Sequence, residues 1–216
     1  MKFSQTLFLA TVTTVCLILT WVTPVRAQAK GIGGPYGDYA MAYPGTETLT
    51  LFVVPDGSGE TFDRAFLPYG GRADATITLW LRDANNDPVP NFPREDMWLV
   101  SEDGGLFLCP AGSIADANTD GQGTAFWTQP LRSGGHSEGR TEVRVNGSPV
   151  ELTSGVRLGF NSPDINGDLT VNLTDVQIFT TDFYGPFDFR SDFYRDGSVN
   201  LSDLAEMAHA FGAGCP

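Results

Sequence analysis

Lysine is almost missing from this chain: after Lys30 there is none, so cationic work falls to arginine. Histidine occurs twice, at His136 and His209, and cysteine three times, at Cys16, Cys109 and Cys215. Formal charge is -13, and removing Lys2 and Arg26 with the leader read below makes it -15. Such acidity argues against nucleic acid and anionic membranes as partners, and it suits divalent cations or simple solubility. Neither histidine has a sequence neighbour that would make it a nucleophile's base. The "GSGE" at 57–60 is not a nucleophile elbow, and no zinc or phosphate-loop spacing occurs. No catalytic residue is expected, and the chain reads as a non-enzyme.

Long apolar runs are also lacking, with one exception at the start. Residues 1–29 carry Lys2, an apolar run from Leu7 to Trp21, then Val25, Ala27 and Ala29. This is the three-part layout of a secretory signal peptide, with cleavage after Ala27 or Ala29. The alternative is an uncleaved anchor helix; four threonines within the run and the small-residue tail favour removal. No membrane insertion is then expected after signal removal, and the protein is expected to be secreted, extracellular or at the cell surface. Cys109 and Cys215 remain as an even pair, which an oxidising compartment favours joining as a disulfide; two free thiols are the alternative.

Residues 30–45, rich in Gly, Pro and Tyr without helical or strand period, read as an arm or linker. From 46 to 160 helical periodicity is absent. Seven short segments with strand character take its place: "TLTLFVV", "ATITLWL", "MWLVS", "LFLC", "TAFWTQ", "EVRV" and "GVRLGF", divided by turn clusters such as "DANNDPVP" and "RSGGHSEG". They predict an antiparallel β-sandwich with Trp80, Trp98, Phe107 and Phe126 as core candidates. The stretches "ATITLWLRDANNDPVPN" and "DANTDGQGTAFW" resemble bacterial immunoglobulin-like domains of the invasin and intimin kind. That resemblance implies an Ig-like fold used for spacing, adhesion or protein binding. Asp116, Asn118 and Asp120 imitate half a calcium loop, but Trp127 stands where the last ligand belongs, so a polar turn is expected there.

The tail, 161–216, changes character: it holds nine acidic residues and two arginines. "DINGDLTVNLTD" at 164–175 and "DFYRDGSVNLSD" at 192–203 begin 28 residues apart and share their rhythm. Twelve residues can wrap a hard dication such as Ca²⁺ with ligands at positions 1, 3, 5, a backbone carbonyl at 7, water through 9, and a carboxylate at 12. The first loop offers Asp164, Asn166, Asp168, the carbonyl of Thr170, Asn172 and Asp175. The second offers Asp192, Asp196, the carbonyl of Ser198, Asn200 and Asp203, with Tyr194 at position 3 supplying no useful oxygen. Up to two ions are expected. Val171 and Val199, at position 8, are expected to pack inward as the loops pair. Each loop runs into an amphipathic stretch, with Val176, Ile178, Phe179 and Phe183 on one expected face and Leu204, Met207, Ala208 and Phe211 on the other. Thr174 and Ser202 are candidate caps, and Gly212 a candidate stop.

The duplicated loop–helix pattern resembles dockerin domains, the calcium-loop modules that attach secreted proteins to cohesin partners. Asp at position 12 with Asn at 9 carries the likeness. By that resemblance, Leu173, Thr174, Leu201 and Ser202 are candidates for choosing a partner, either a cohesin-like receptor or copies of the protein itself. Two departures stand out. Leu169 occupies position 6, where a left-handed turn usually calls for Gly, and Tyr194 removes one ligand, so the first loop is expected to bind more tightly. The sequence thus predicts a mainly β chain with a small α tail: an Ig-like antiparallel sandwich followed by a dockerin-like pair of calcium loop–helix units.

Overall fold

The computed structural model describes residues 36–150 and 155–216. The expected signal peptide and residues 30–35 of the expected arm lie outside the described residues. The elements in chain order are β1 (Tyr36–Met41), β2 (Leu49–Phe52), β3 (Ala65–Phe66), β4 (Arg72–Ala73), β5 (Ile77–Arg82), β6 (Met97–Ser101) and β7 (Leu106–Leu108). Then come β8 (Thr124–Trp127), β9 (Ser133–Gly135), β10 (Thr141–Val145), β11 (Ser148–Pro149), β12 (Leu158–Asn161), and the helices α1 (Leu173–Tyr184) and α2 (Leu201–Ala210). The strands form small sheets in the orders β1-β5-β8, β11-β10-β6, β12-β2-β3-β4 and β7-β9. The protein is therefore mainly β, and among the described residues both α-helices lie in the tail. Among the described residues no helix is long and apolar enough to cross a membrane.

Period-two alternation makes most of these strands. In β5, Ile77, Leu79 and Leu81 are buried while Thr78, Trp80 and Arg82 are half-buried. In β6 and β10, Met97 and Leu99 and then Val143 and Val145 supply the inward side. Alternation also corrects the expected core. In β8 the inward positions are Ala125 and Trp127, which turns Phe126 outward. Phe107 is likewise exposed, and Trp80 and Trp98 are half-buried; the large aromatics buried in the main core are Trp127, Phe62 and Phe160.

Two segments depart from the sequence reading. Part of the expected arm, Tyr36–Met41, pairs antiparallel with β5 from Tyr36↔Arg82 to Met41↔Ile77. Its period-two signal is muted because one inward position is Gly37, where a Cβ would stand 2.7 Å from Val150 Cγ1. The second departure is β12, which runs parallel to β2, so the β-unit is not wholly antiparallel.

Residues 49–54, β2 and the two valines after it, are buried at every position, the polar Thr50 included. Leu49, Leu51 and Val53 enter the main core, whereas Phe52 and Val54 enter a second cluster with Phe66 and the tail residues Ile165, Val171, Phe179, Phe193 and Met207. A segment covered on both faces leaves no side to solvent. Phe52 meets Phe193 edge-on at 5.8 Å, and Phe66 meets Tyr194 in the same way at 5.8 Å. The tail thus shares a core with the β-unit. Cys109, after β7, is disulfide-bonded to Cys215 across 106 residues, with Cα atoms 5.6 Å apart.

Candidate metal centre

The two loops are bonded internally in the same way. In the first, the Asp164 carboxylate accepts the backbone N–H of Asp168 (3.1 Å) and of Leu169 (2.8 Å). Asp175 reaches back from α1 to accept N–H groups from Asn166 (3.2 Å) and Asn172 (2.9 Å). In the second, Asp192 accepts from Asp196 (3.1 Å) and Gly197 (2.9 Å). Asp203 accepts from Phe193 (2.8 Å), Tyr194 (3.2 Å) and Asn200 (2.9 Å). At position 5, Asp168 and Asp196 each accept from the residue two places on, Thr170 and Ser198. Each loop is closed by its first and last aspartates.

Both loops turn through left-handed residues at positions 4 and 6: Gly167 (φ 72°) and Leu169 (φ 69°), then Arg195 (φ 56°) and Gly197 (φ 90°). Each spends its glycine on a different one of these two places. Leu169 therefore takes the left-handed conformation rather than the loop bending another way, at a cost of roughly 1–2 kcal/mol.

Asp164, Asp175, Asp192 and Asp203 are fully buried, and among the described residues none of the ion pairs reaches them or Asp168 and Asp196. Burial, joined by the charges of Asp175 and Asp168, pushes Asp164 up to about 6 against the pull of the Leu169 and Asp168 N–H groups. Burial raises Asp203 to about 6 as well, with the Asp192 charge adding to it, and it raises Asp192 beside Asp196, against the pull of the Gly197 and Asp196 N–H groups and the Arg195 charge. Like charges held together out of water at neutral pH leave a strong demand for a cation.

The donors present fit a hard dication: carboxylates, Asn side chains, and the carbonyls of Thr170 and Ser198. Among the described residues, no three Asp, Glu, His or Cys side chains form a ready cluster that could hold a metal ion. The loop set is mixed by nature, and its carboxylates also serve the loops' own N–H groups. Asn166 Nδ2, for instance, donates to Asp168 Oδ2 at 3.0 Å. Tyr194 has another role: its hydroxyl donates to Glu206 Oε1 at 2.6 Å, a bond that, with burial and the Glu206 charge, pushes the phenol up to about 12.

The helices begin differently from the expectation. Asn172 and Asn200 are the N-caps, accepting from Thr174 N and Ser202 N, and Asp175 and Asp203 complete capping boxes. Thr174 and Ser202 thus sit inside the first turn as exposed residues beside Leu173 (74% exposed) and Leu201 (71%). The α1 face is as read, centred on buried Phe179. The α2 face is rotated: Asp203, Met207 and Ala210 are buried, while Leu204, Ala208 and Phe211 are exposed, because Asp203 must turn inward to hold its loop. Val171 and Val199 do pack toward the second core. Val171, however, exchanges backbone hydrogen bonds with Gly212 and Ala213 just beyond α2, with Thr170↔Gly214 bridged beside it. Gly212 is left-handed (φ 89°), which turns the chain into that pairing.

An acid on the buried side of α1 escaped the sequence reading. Asp182 receives Arg190 through both Nε and Nη2 at 2.8 Å and the Ser191 hydroxyl at 2.6 Å. Burial works to raise Asp182, but these bonds and the Arg190 charge outweigh it and hold the carboxyl below its ordinary value. Its position seven residues after Asp175 on a buried stripe was the available signal. Because the folded value is lowered, its contribution is full above the ordinary carboxylate range and is lost as pH falls through the folded value. Asp182→Asn is expected to cost about 2–4 kcal/mol at pH 7 and far less in acid once the folded carboxyl is protonated, measured by urea unfolding under both conditions.

The half-loop at 116–121 is an inter-strand turn: Asp120 accepts from Gln122 and Thr124, and Asp116 accepts from Thr128. Compared with known protein families, with curated proteins and with solved structures, the chain finds no match.

Proposed function

We propose that this is a secreted, non-catalytic, calcium-binding protein whose dockerin-like tail mediates extracellular attachment or assembly, with an Ig-like β-sandwich as its cargo or spacer. The partner is a cohesin-like receptor or a further copy of the protein. One observation carries the reading: two loops 28 residues apart close on buried aspartates through matching backbone hydrogen bonds, with no basic side chain paired to those acids among the described residues. Asp164, Asn166, Asp168, Thr170, Asn172 and Asp175 would hold one ion. Asp192, Asp196, Ser198, Asn200 and Asp203 would hold a second more weakly. An ion there would neutralise charge that no ion pair offsets among the described residues.

The exposed pair Leu173 and Leu201, each followed by a small hydroxyl residue, offers two similar apolar contact points for the partner. A second reading, a structural subunit of an extracellular fibre or surface layer in which calcium only stiffens the tail, draws on the core that the tail shares with the β-unit. Calorimetric titration of chelator-stripped protein tests the metal reading. One or two ions per chain are expected, with dissociation constants of ~10⁻⁴–10⁻³ M, as for extracellular modules. No heat at millimolar calcium would refute it. A partner screen with and without Leu173→Ser and Leu201→Ser then separates attachment from stiffening.

A further inference from the structure

The β-unit touches the loops where a metal would act on them. Gly135 in β9 donates its N–H to the carbonyl of Asp164 at 2.7 Å, and a Cβ on Gly134 would lie 1.7 Å from Asp164 Oδ2. Asn161 at the end of β12 donates its amide to the carbonyl of Asp192. Position 4 of each loop is met as well. Phe107 covers Gly167, where a Cβ would come within 2.2 Å of its ring, and the N–H of Gly70 reaches the carbonyl of Arg195 at 3.0 Å. Tyr69, at the tip of the β3–β4 hairpin, lies against Gly197. Both first-position aspartates and both left-handed turns are thus braced by strands or hairpins of the β-unit.

The seam is not packed solid. A cleft of about 350 Å³, partly open to solvent, lies between Phe52, Glu60, Arg64 and Phe66 on one side and Tyr194 and Glu206 on the other. Solvent thus reaches into part of the junction, beside the packed contacts of Phe52 with Phe193 and Phe66 with Tyr194. The Cys109–Cys215 bond and the β12–β2 pairing tether the tail at both ends, so loosening it would open the seam without releasing the tail.

We propose that metal binding in the loops locks the tail onto its own β-unit, so that a divalent cation controls how open the seam between them is. The inference rests on the calcium reading above. Metal that fixes the Asp164 carboxylate also fixes the backbone that β9 holds, and coupling of this kind is reciprocal: strengthening or spoiling the β-unit contact changes metal affinity by the same factor.

Hydrogen exchange on the full chain, chelator-stripped and then in millimolar calcium, reads one direction. Protection in β9, β12 and residues 65–73 is expected to rise at least tenfold. Calcium titration of Gly134→Ala reads the other: a methyl group on a strand thirty residues from the loop should weaken binding at least tenfold. Phe107→Ala, at a residue 46% exposed and so outside the core, should weaken it several-fold while leaving near-UV dichroism unchanged, and it serves if Gly134→Ala does not fold. Calcium heat identical to the parent's in the folded variants, or unchanged protection in those β segments despite binding, would overturn the lock and leave the calcium reading standing. Absence of calcium heat in the parent would remove both.

Discussion

Asp164→Ala is expected to abolish calcium binding in the first loop and, with it, most of the protein's calcium-dependent stability. The side chain is fully buried and closes the loop on two N–H groups. Hydrogen bonds to a charged acceptor contribute about 1.5–3 kcal/mol each, but losing one of three crowded negative charges offsets part of that. In chelator the variant should therefore be only modestly less stable. In calcium the difference widens, because a ligand at a hundred times its dissociation constant adds about 2.7 kcal/mol to the folded state. For a chain of this size that corresponds to roughly 5–10 °C of melting temperature, present in the parent and missing in the variant. Asp192→Ala should leave most calcium heat intact, since Tyr194 has already cost the second loop a ligand. Equal losses in the two variants would mean that the loops bind as one cooperative site.

Breaking the disulfide should produce the largest change in stability. The bond closes a loop of 106 residues, for which chain-entropy reasoning gives roughly 4–5 kcal/mol. Its position adds a local consequence. Cys215 follows the strip that pairs with the first loop, where Gly212 N–H reaches the Val171 carbonyl and Val171 N–H reaches that of Ala213. Cys215→Ser is therefore expected to lower the melting temperature by roughly 10–20 °C and also to weaken calcium binding in the first loop. Melting curves in calcium and in chelator check both. A melting loss equal in the two conditions would show that the C-terminal strip does not support the loop.

The strands and loops were legible because their signals are local. All seven segments with strand character contain a strand, and the 28-residue repeat marks two loops closed by the same backbone bonds. What escaped depends on partners far along the chain. The β1 strand is visible only once β5 lies beside it, since Gly37 looks like a linker residue until Val150 is seen to crowd it. Short β3, β4, β9 and β11 carry too few residues for a period. The α2 face differs from the apolar pattern because Asp203, read only as a loop ligand, also takes a buried place on the helix, where it holds three N–H groups. Nothing local announces that Phe52 and Val54 belong to a different core from Leu51 and Val53.

That last division limits how modular the tail can be. A loop–helix pair cut away after β12 and joined to another protein would carry Phe179, Phe193 and Met207 with the wall of Phe52, Val54 and Phe66 left behind. A recipient would have to supply a strand with an apolar outer face at the same place. The tail's portability is thus limited by a strand that lies more than a hundred residues upstream of it.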